Sequence, residues 1–246
     1  MLIESNQNAK YKHWMKLKQK KHREKAGEFL VEGEHLVKEA ISHGAITEII
    51  VREDAIMDGE FAAAGPIHTI KAGLFDKLAS TQSPQPVMAV CKMGLSKIGA
   101  CNRLLLLDAI QDPGNLGTLI RSAAAFGFDG IILGDGCVDI YNDKAIRATQ
   151  GAIFKLPMER ENLSLAIPRL QQGGVRVLGT SLAQATPLSG VSASGKLAFI
   201  LGNEGSGVSK ELLGLTDGNI FIEMREFVES LNVSIAGSVI MYNFRQ

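Results

Sequence analysis

LLLLDAIQDPGNLGTLIRSAAAFGF, residues 104–128, sets the architecture of the chain. Four consecutive leucines run up to Asp108, as in a short strand buried on both faces. Pro113, Gly114 and Asn115 then predict a turn. A helix is expected from about Gly117 to Phe126, with Asn115 placed to cap its start and Gly127 its end. Arg121 falls about one turn into it.

The same rhythm continues downstream. Apolar runs at 130–133, 175–182, 196–202 and 219–224 read as strands. Helical patterns fill 143–150, 163–172 and 207–214, and a last helix is expected from about Ser230 to Phe244. Alternating strands and helices predict an α/β domain with a mostly parallel sheet covered on both faces. Such sheets bind ligands beyond the carboxyl ends of their strands.

Upstream, residues 94–103 are polar and glycine-bearing and read as a linker. Residues 1–95 predict a small mixed α/β domain. Strands are expected at 46–51, 67–70 and 87–93, with a helix over 72–80. Leu36, Val37, Ala40 and Ile41 recur at helical spacing, and Gly44 ends that helix.

The chain has 246 residues and a formal net charge of zero, but the charge is polarised. In KYKHWMKLKQKKHREK, residues 10–25, eight of sixteen residues are Lys or Arg and only Glu24 is acidic. Nothing in it breaks a helix. Tyr11, Trp14 and Met15 give that helix a narrow apolar stripe. A solvated surface helix and a phosphate-tracking arm both fit. In the second reading Lys12, Lys16, Lys18, Lys20, Lys21 and Arg23 contact RNA. Three cysteines without a CxxC pair give neither a disulfide framework nor a zinc site. No metal-ligand cluster is visible. No apolar run is long enough to span a membrane, and no secretory signal is visible, so a cytoplasmic protein is expected.

Two further loops follow strand ends. LGNEGSGVS (201–209) gathers three glycines around Asn203 and Glu204, which lets a ligand approach backbone N–H groups closely. In IEMREFVESLNVSIAG (222–237), Ser230 is a natural helix cap, Leu231, Ile235 and Val239 read as core, and Asn232 and Ser234, polar near the helix start, are candidates to contact a cofactor or Arg121.

Taken together, the three loops resemble the three motifs of the SpoU (TrmH) family of RNA ribose 2′-O-methyltransferases in the SPOUT superfamily. Asn115, Gly117, Arg121 and Ala125–Gly127 carry the first. Gly202, Asn203, Glu204, Gly205 and Gly207 carry the second. Ile222, Met224, Glu229, Ser230–Ser234 and Ala236 carry the third. RATQGAIFKLP (147–157) resembles the segment between the first two. FLVEGEHLVKEA and KLASTQSPQPVMAV resemble an accessory domain of the kink-turn-binding ribosomal-protein type.

The resemblance implies a SPOUT domain at 104–246 whose C-terminal segment forms a trefoil knot, behind an RNA substrate-binding domain at 1–95. It implies S-adenosylmethionine as cofactor, a homodimer, and large-subunit (23S) ribosomal RNA as substrate. The cofactor would lie against Thr180, Leu201, Gly202, Asn203, Gly205, Ile222, Met224, Ser230 and Leu231. Arg121 would act on the 2′-hydroxyl, with Asn115, Glu204, Ser230 and Asn232 orienting it and the nucleotide. A guanidinium stays protonated at ordinary pH. The physical reading therefore has Arg121 hold a phosphate and stabilise alkoxide charge.

The chain departs from the family at Glu223 and Glu226, where proline and glycine are usual. These carboxylates either weaken the cofactor loop or touch the cofactor. They favour one competing reading, a non-catalytic RNA binder that kept the fold. A nicotinamide-dependent oxidoreductase is a second, but the chain lacks GxGxxG.

Overall fold

The computed structural model describes residues 2–56, 59–62, 64–225 and 227–246, without the side chains of Glu60 and Ala62. In chain order the first elements are β1 (Leu2–Ile3), α1 (Ala9–Leu17), α2 (Lys20–Ala26), β2 (Glu28–Glu32), α3 (Glu34–Ser42) and β3 (Ile46–Arg52). Then come α4 (Gly59–Ala62), β4 (Ile67–Ile70), α5 (Ala72–Leu78), β5 (Val87–Lys92), β6 (Arg103–Leu107), α6 (Pro113–Ala125), β7 (Gly130–Leu133) and α7 (Asp143–Thr149). The last are β8 (Met158–Arg160), α8 (Leu163–Gln172), β9 (Val175–Thr180), β10 (Ala185–Pro187), β11 (Lys196–Leu201), α9 (Lys210–Leu213), β12 (Gly218–Phe221) and α10 (Val233–Asn243).

Two compact units result. One comprises Met1–Gly94 and Tyr141–Lys155, the other Leu95–Ile140 and Leu156–Gln246. The helical segment expected at 143–150, read from sequence as part of the second domain, therefore groups with the first. Its α7 packs on β2, and Tyr141 meets Phe29 with ring centroids 4.7 Å apart.

The first unit carries a five-stranded mixed sheet in the order β1-β4-β3-β5-β2. The basic stretch forms two helices, α1 and α2, where one was expected. Tyr11, Trp14 and Leu17 of α1 are buried against Ile50, Ile70 and Met88. The break between the helices is closed by Arg23, whose Nη1 donates to the carbonyls of Leu17 (2.9 Å) and Lys18 (3.0 Å). These are C-terminal carbonyls that α1 itself cannot satisfy. Residues 28–32, where no strand is expected from sequence, form β2. Their burial alternates, with Phe29 and Val31 inside.

The second unit carries a seven-stranded sheet, β10-β12-β9-β11-β6-β7-β8, and every pairing in it is parallel. All residues of β6 and β7 are buried, as the continuous apolar runs require. Leu163, Ile167 and Leu170 of α8 and Leu212 of α9 cover one face. On the other, Phe244 lies 4.6 Å from Phe199 of β11, and α10 packs on α6. A Cβ on Gly237 would come within 2.4 Å of Leu119 and 2.6 Å of Leu201, so glycine is what lets α10 sit this close. Arg103 is buried and ties the C-terminal helix down. Its Nε donates to the Phe244 carbonyl (3.0 Å), and its Nη atoms reach the carbonyls of Asn102, Gly195 and Ala193.

Candidate active site

The loops after β6, β11 and β12 converge at the carboxyl end of the sheet. The first begins α6 earlier than the sequence suggested. Asp112, in extended conformation, is the cap, and its Oδ1 accepts from the Asn115 N–H at 2.9 Å. Pro113 occupies the first helical position, where its missing N–H costs nothing. Asn115 is thus not the cap but lies inside the first turn, with its amide free to bond elsewhere.

Its partners come from the other two loops. Asn115 Nδ2 donates to Glu204 Oε1 at 3.1 Å, and Asn115 Oδ1 accepts from Asn232 Nδ2 at 3.0 Å. Glu204 also accepts from the backbone N–H groups of Gln111 (3.2 Å) and Asp112 (3.1 Å). Burial pushes the Glu204 carboxyl up, but the Asn115 amide and the surrounding backbone N–H groups outweigh it and hold the group below its ordinary range.

The Glu204 loop is closed on itself. Asn203 and Gly207 exchange backbone hydrogen bonds of 3.0 and 2.9 Å. The Asn203 side chain accepts from the N–H groups of Gly205 (2.9 Å) and Ser206 (3.2 Å) and donates to the Ala109 carbonyl (2.9 Å). Any Cβ on Gly202 would lie 2.1 Å from the backbone of Gly207 and Val208, so this position admits only glycine.

In the third loop the cap of α10 is Asn232 and not Ser230. Asn232 Oδ1 accepts from Ser234 N at 2.9 Å and Ile235 N at 3.4 Å. One amide therefore caps α10 with its oxygen and joins the first motif with its nitrogen. Ser230 is left exposed. Leu231 is only half-buried, and Ile235 and Val239, expected in the core, are 51% and 38% exposed. Glu223 turns to Ser189, whose Oγ donates to it at 2.7 Å. Glu226 lies outside the described residues.

The second and third of these loops, with the end of β9, enclose a cavity of about 530 Å³. All nine residues named from sequence as cofactor contacts line it: Thr180, Leu201, Gly202, Asn203, Gly205, Ile222, Met224, Ser230 and Leu231. So do Glu204 and Asn232. Sequence reasoning missed Leu182, Ile220 and Ile240, which complete an apolar wall. Leu182 and Ile220 read from sequence as strand residues and Ile240 as a helix residue, and nothing in their pattern distinguishes a wall from a core. Asn115 and Arg121 are not on the lining. Arg121 stands exposed on α6, and its guanidinium has no partner among the described residues. The lining holds two carboxylates, Glu204 and Glu229, and no cationic side chain among the described residues. A dinucleotide's pyrophosphate would meet the wrong charge there, which speaks against the oxidoreductase reading.

A parallel α/β sheet with three polar loops joined over a cavity at its carboxyl end is the arrangement of SPOUT methyltransferases. The chain belongs to the SpoU rRNA Methylase family, whose profile matches residues 102–242. Residues 8–89 match the MRM3-like substrate binding domain. The chain is 41% identical over 244 residues to the 23S rRNA (guanosine(2553)-2′-O)-methyltransferase RlmP of Bacillus subtilis, covering 99% of this chain and 98% of that one. Its structure superposes on an AdoMet-bound rRNA methyltransferase from Sinorhizobium meliloti with a TM-score of 0.90 at 28% identity, over 99% and 97% of the two chains. The SpoU methyltransferase AviRb from Streptomyces viridochromogenes, in complex with AdoMet, gives 0.88 at 25% identity, over 97% of each chain.

The cavity fits this cofactor. Its volume lies in the range of small-molecule sites. Gly202, Gly205 and Gly207 put backbone without side chains on the lining, and the apolar wall suits a purine. S-adenosylmethionine is the cofactor of the protein. The reading as a non-catalytic binder is thereby set aside. Glu223, one of its two supports, is turned away to Ser189.

Proposed function

We infer that the protein methylates a ribose 2′-hydroxyl of large-subunit ribosomal RNA. The observation that carries this is the Glu204–Asn115–Asn232 chain, which joins all three motif loops at the cofactor cavity. The relative that matches along nearly its whole length is named for this reaction on 23S rRNA.

When bound, S-adenosylmethionine supplies an electrophilic methyl group on sulfur. The side chains position the attacking oxygen and manage charge. Leu201, Ile222, Met224 and Leu231 hold the apolar part of the cofactor, and the Gly202–Gly205 backbone its polar part. Glu204 is held ionised by its donors, which makes it a poor base and a good anchor for Asn115. Ser230 and Asn232, at the cavity edge, orient the nucleotide. Arg121 stays protonated, holds the phosphate next to the target ribose and stabilises the developing alkoxide. The hydroxyl proton leaves to solvent.

Unit 1 captures the RNA. Lys12, Lys16, Lys20 and Lys21 are exposed on α1 and α2 and suit phosphate contact. Two residues of the expected set serve the fold instead. Arg23 is 7% exposed and closes α1, and Lys18 Nζ donates to the carbonyls of Leu78 (3.1 Å) and Ala79 (3.0 Å) at the end of α5. The protein works as a homodimer. Ile235, Val239 and Tyr242, at i, i+4 and i+7 on α10, form an exposed apolar face that a second copy would cover. The path from β12 at the far side of β9, past the Glu204 loop, to α10 on α6 supports the trefoil knot. No described helix is long and apolar enough to cross a membrane, and a ribosomal substrate supports a cytoplasmic location.

The test is transfer of labelled methyl from S-adenosylmethionine to unmodified total RNA, separated by size. Label in the large ribosomal RNA is expected. Label confined to transfer RNA would overturn the substrate.

A further inference from the structure

Glu229 lines the cofactor cavity, and the sequence resemblance places it in the third motif without a role. It differs from every other described carboxylate nearby. Both oxygens of Glu204 are taken by N–H donors from Gln111, Asp112 and Asn115. Glu223 accepts from Ser189 and is not on the lining. Glu229 has no hydrogen-bond or ion-pair partner among the described residues, and no cationic side chain shares the lining with it. A carboxylate on the wall of a cavity without cations attracts a positive ligand.

We propose that Glu229 is the counter-ion for a positive centre of the cofactor. This rests on reading the cavity as the cofactor site. S-adenosylmethionine carries two such centres, the sulfonium and the α-ammonium. S-adenosylhomocysteine keeps only the ammonium, and 5′-methylthioadenosine has neither. If Glu229 faces the sulfonium, it also favours release of the product, which has lost that charge.

Calorimetric titration of the full-length protein and its Glu229→Gln variant with these three ligands tests the assignment. Because Glu229 is exposed, the expected loss is modest, about threefold to fivefold, and it shrinks as salt rises. Weakening of S-adenosylmethionine alone assigns the sulfonium. Equal weakening of S-adenosylmethionine and S-adenosylhomocysteine, with 5′-methylthioadenosine unaffected, assigns the ammonium. Glu229→Asp, which keeps the charge, should recover part of the loss. Unchanged affinity for all three ligands, or equal weakening of all three, would overturn the proposal. If the wild-type protein bound none of the three, the cofactor reading of the cavity would fall first.

Discussion

In the sheet unit, the polar groups of the site hold one another. Asn115 joins Glu204 to Asn232, Asn203 closes its own loop, and Asn232 caps α10 with the oxygen of the same amide. In the N-terminal unit, Lys12, Lys16 and Lys21 stand in solvent, and among the described residues Lys20 meets only Glu24, across a 3.7 Å exposed pair. The first region is specified by geometry and tolerates almost no change in shape. The second is specified by charge and should tolerate any change that keeps it. The two therefore predict mutational effects of different size and kind.

The largest effect belongs where geometry is tightest. Gly202→Ala puts a Cβ 2.1 Å from backbone, and the Glu204 loop must open. Loss of measurable S-adenosylmethionine binding by calorimetry is expected, and wild-type affinity would show that the loop is not the cradle. Next is Arg121→Ala, which removes an exposed side chain with no partner among the described residues. Methyl transfer should fall by about 10²–10³-fold, as for loss of a charge-stabilising donor, with the melting temperature unchanged. Full activity in that variant would remove Arg121 from the mechanism.

Asn232→Ala should act on both stability and rate. It removes the cap of α10, which costs about 1 kcal/mol. It also frees Asn115, so turnover should fall even at temperatures where the variant is folded. Denaturant unfolding and kcat measured together check this. A stability loss without a rate loss would reduce Asn232 to a cap.

Much of this contrast was legible in the sequence. The uninterrupted apolar runs of β6, β7 and β11 announced a sheet buried on both faces, and the motif residues that line the cavity followed from their loops. Asn115 and Ser230 read from sequence as caps because each is a good cap in isolation. Pro113 and the position of Asn232 decide which residue is actually used. Ile235 and Val239 of α10 read as core, since a sequence pattern cannot distinguish a face turned inward from one left for a partner. Lys18 and Arg23 read from sequence as phosphate ligands because composition does not reveal which helix ends need donors.

Charge in the N-terminal unit gives smaller effects. Replacing Lys12, Lys16, Lys20 and Lys21 with Gln should weaken RNA binding and flatten its dependence on salt, by about one unit of log–log slope for each phosphate no longer neutralised. Arg23→Gln should leave that slope alone and lower the melting temperature. A flattened slope in Arg23→Gln would return that residue to the RNA surface. The smallest effect is the pH dependence from Glu204. Its folded-state carboxyl lies below its unfolded value, so the stability it adds is present above the ordinary carboxylate range and lost as pH falls through the folded value. Glu204→Gln should lose less stability on acidification than wild type, read as the denaturant midpoint at neutral and acidic pH.

The chemistry itself is tested by where the methyl group lands. Large ribosomal RNA labelled by the wild-type protein is hydrolysed with alkali and its products are separated. The proposed ribose methylation predicts label in an alkali-stable dinucleotide, because a methylated 2′-oxygen cannot attack its own phosphate. Label in a mononucleotide carrying the methyl on its base would contradict it.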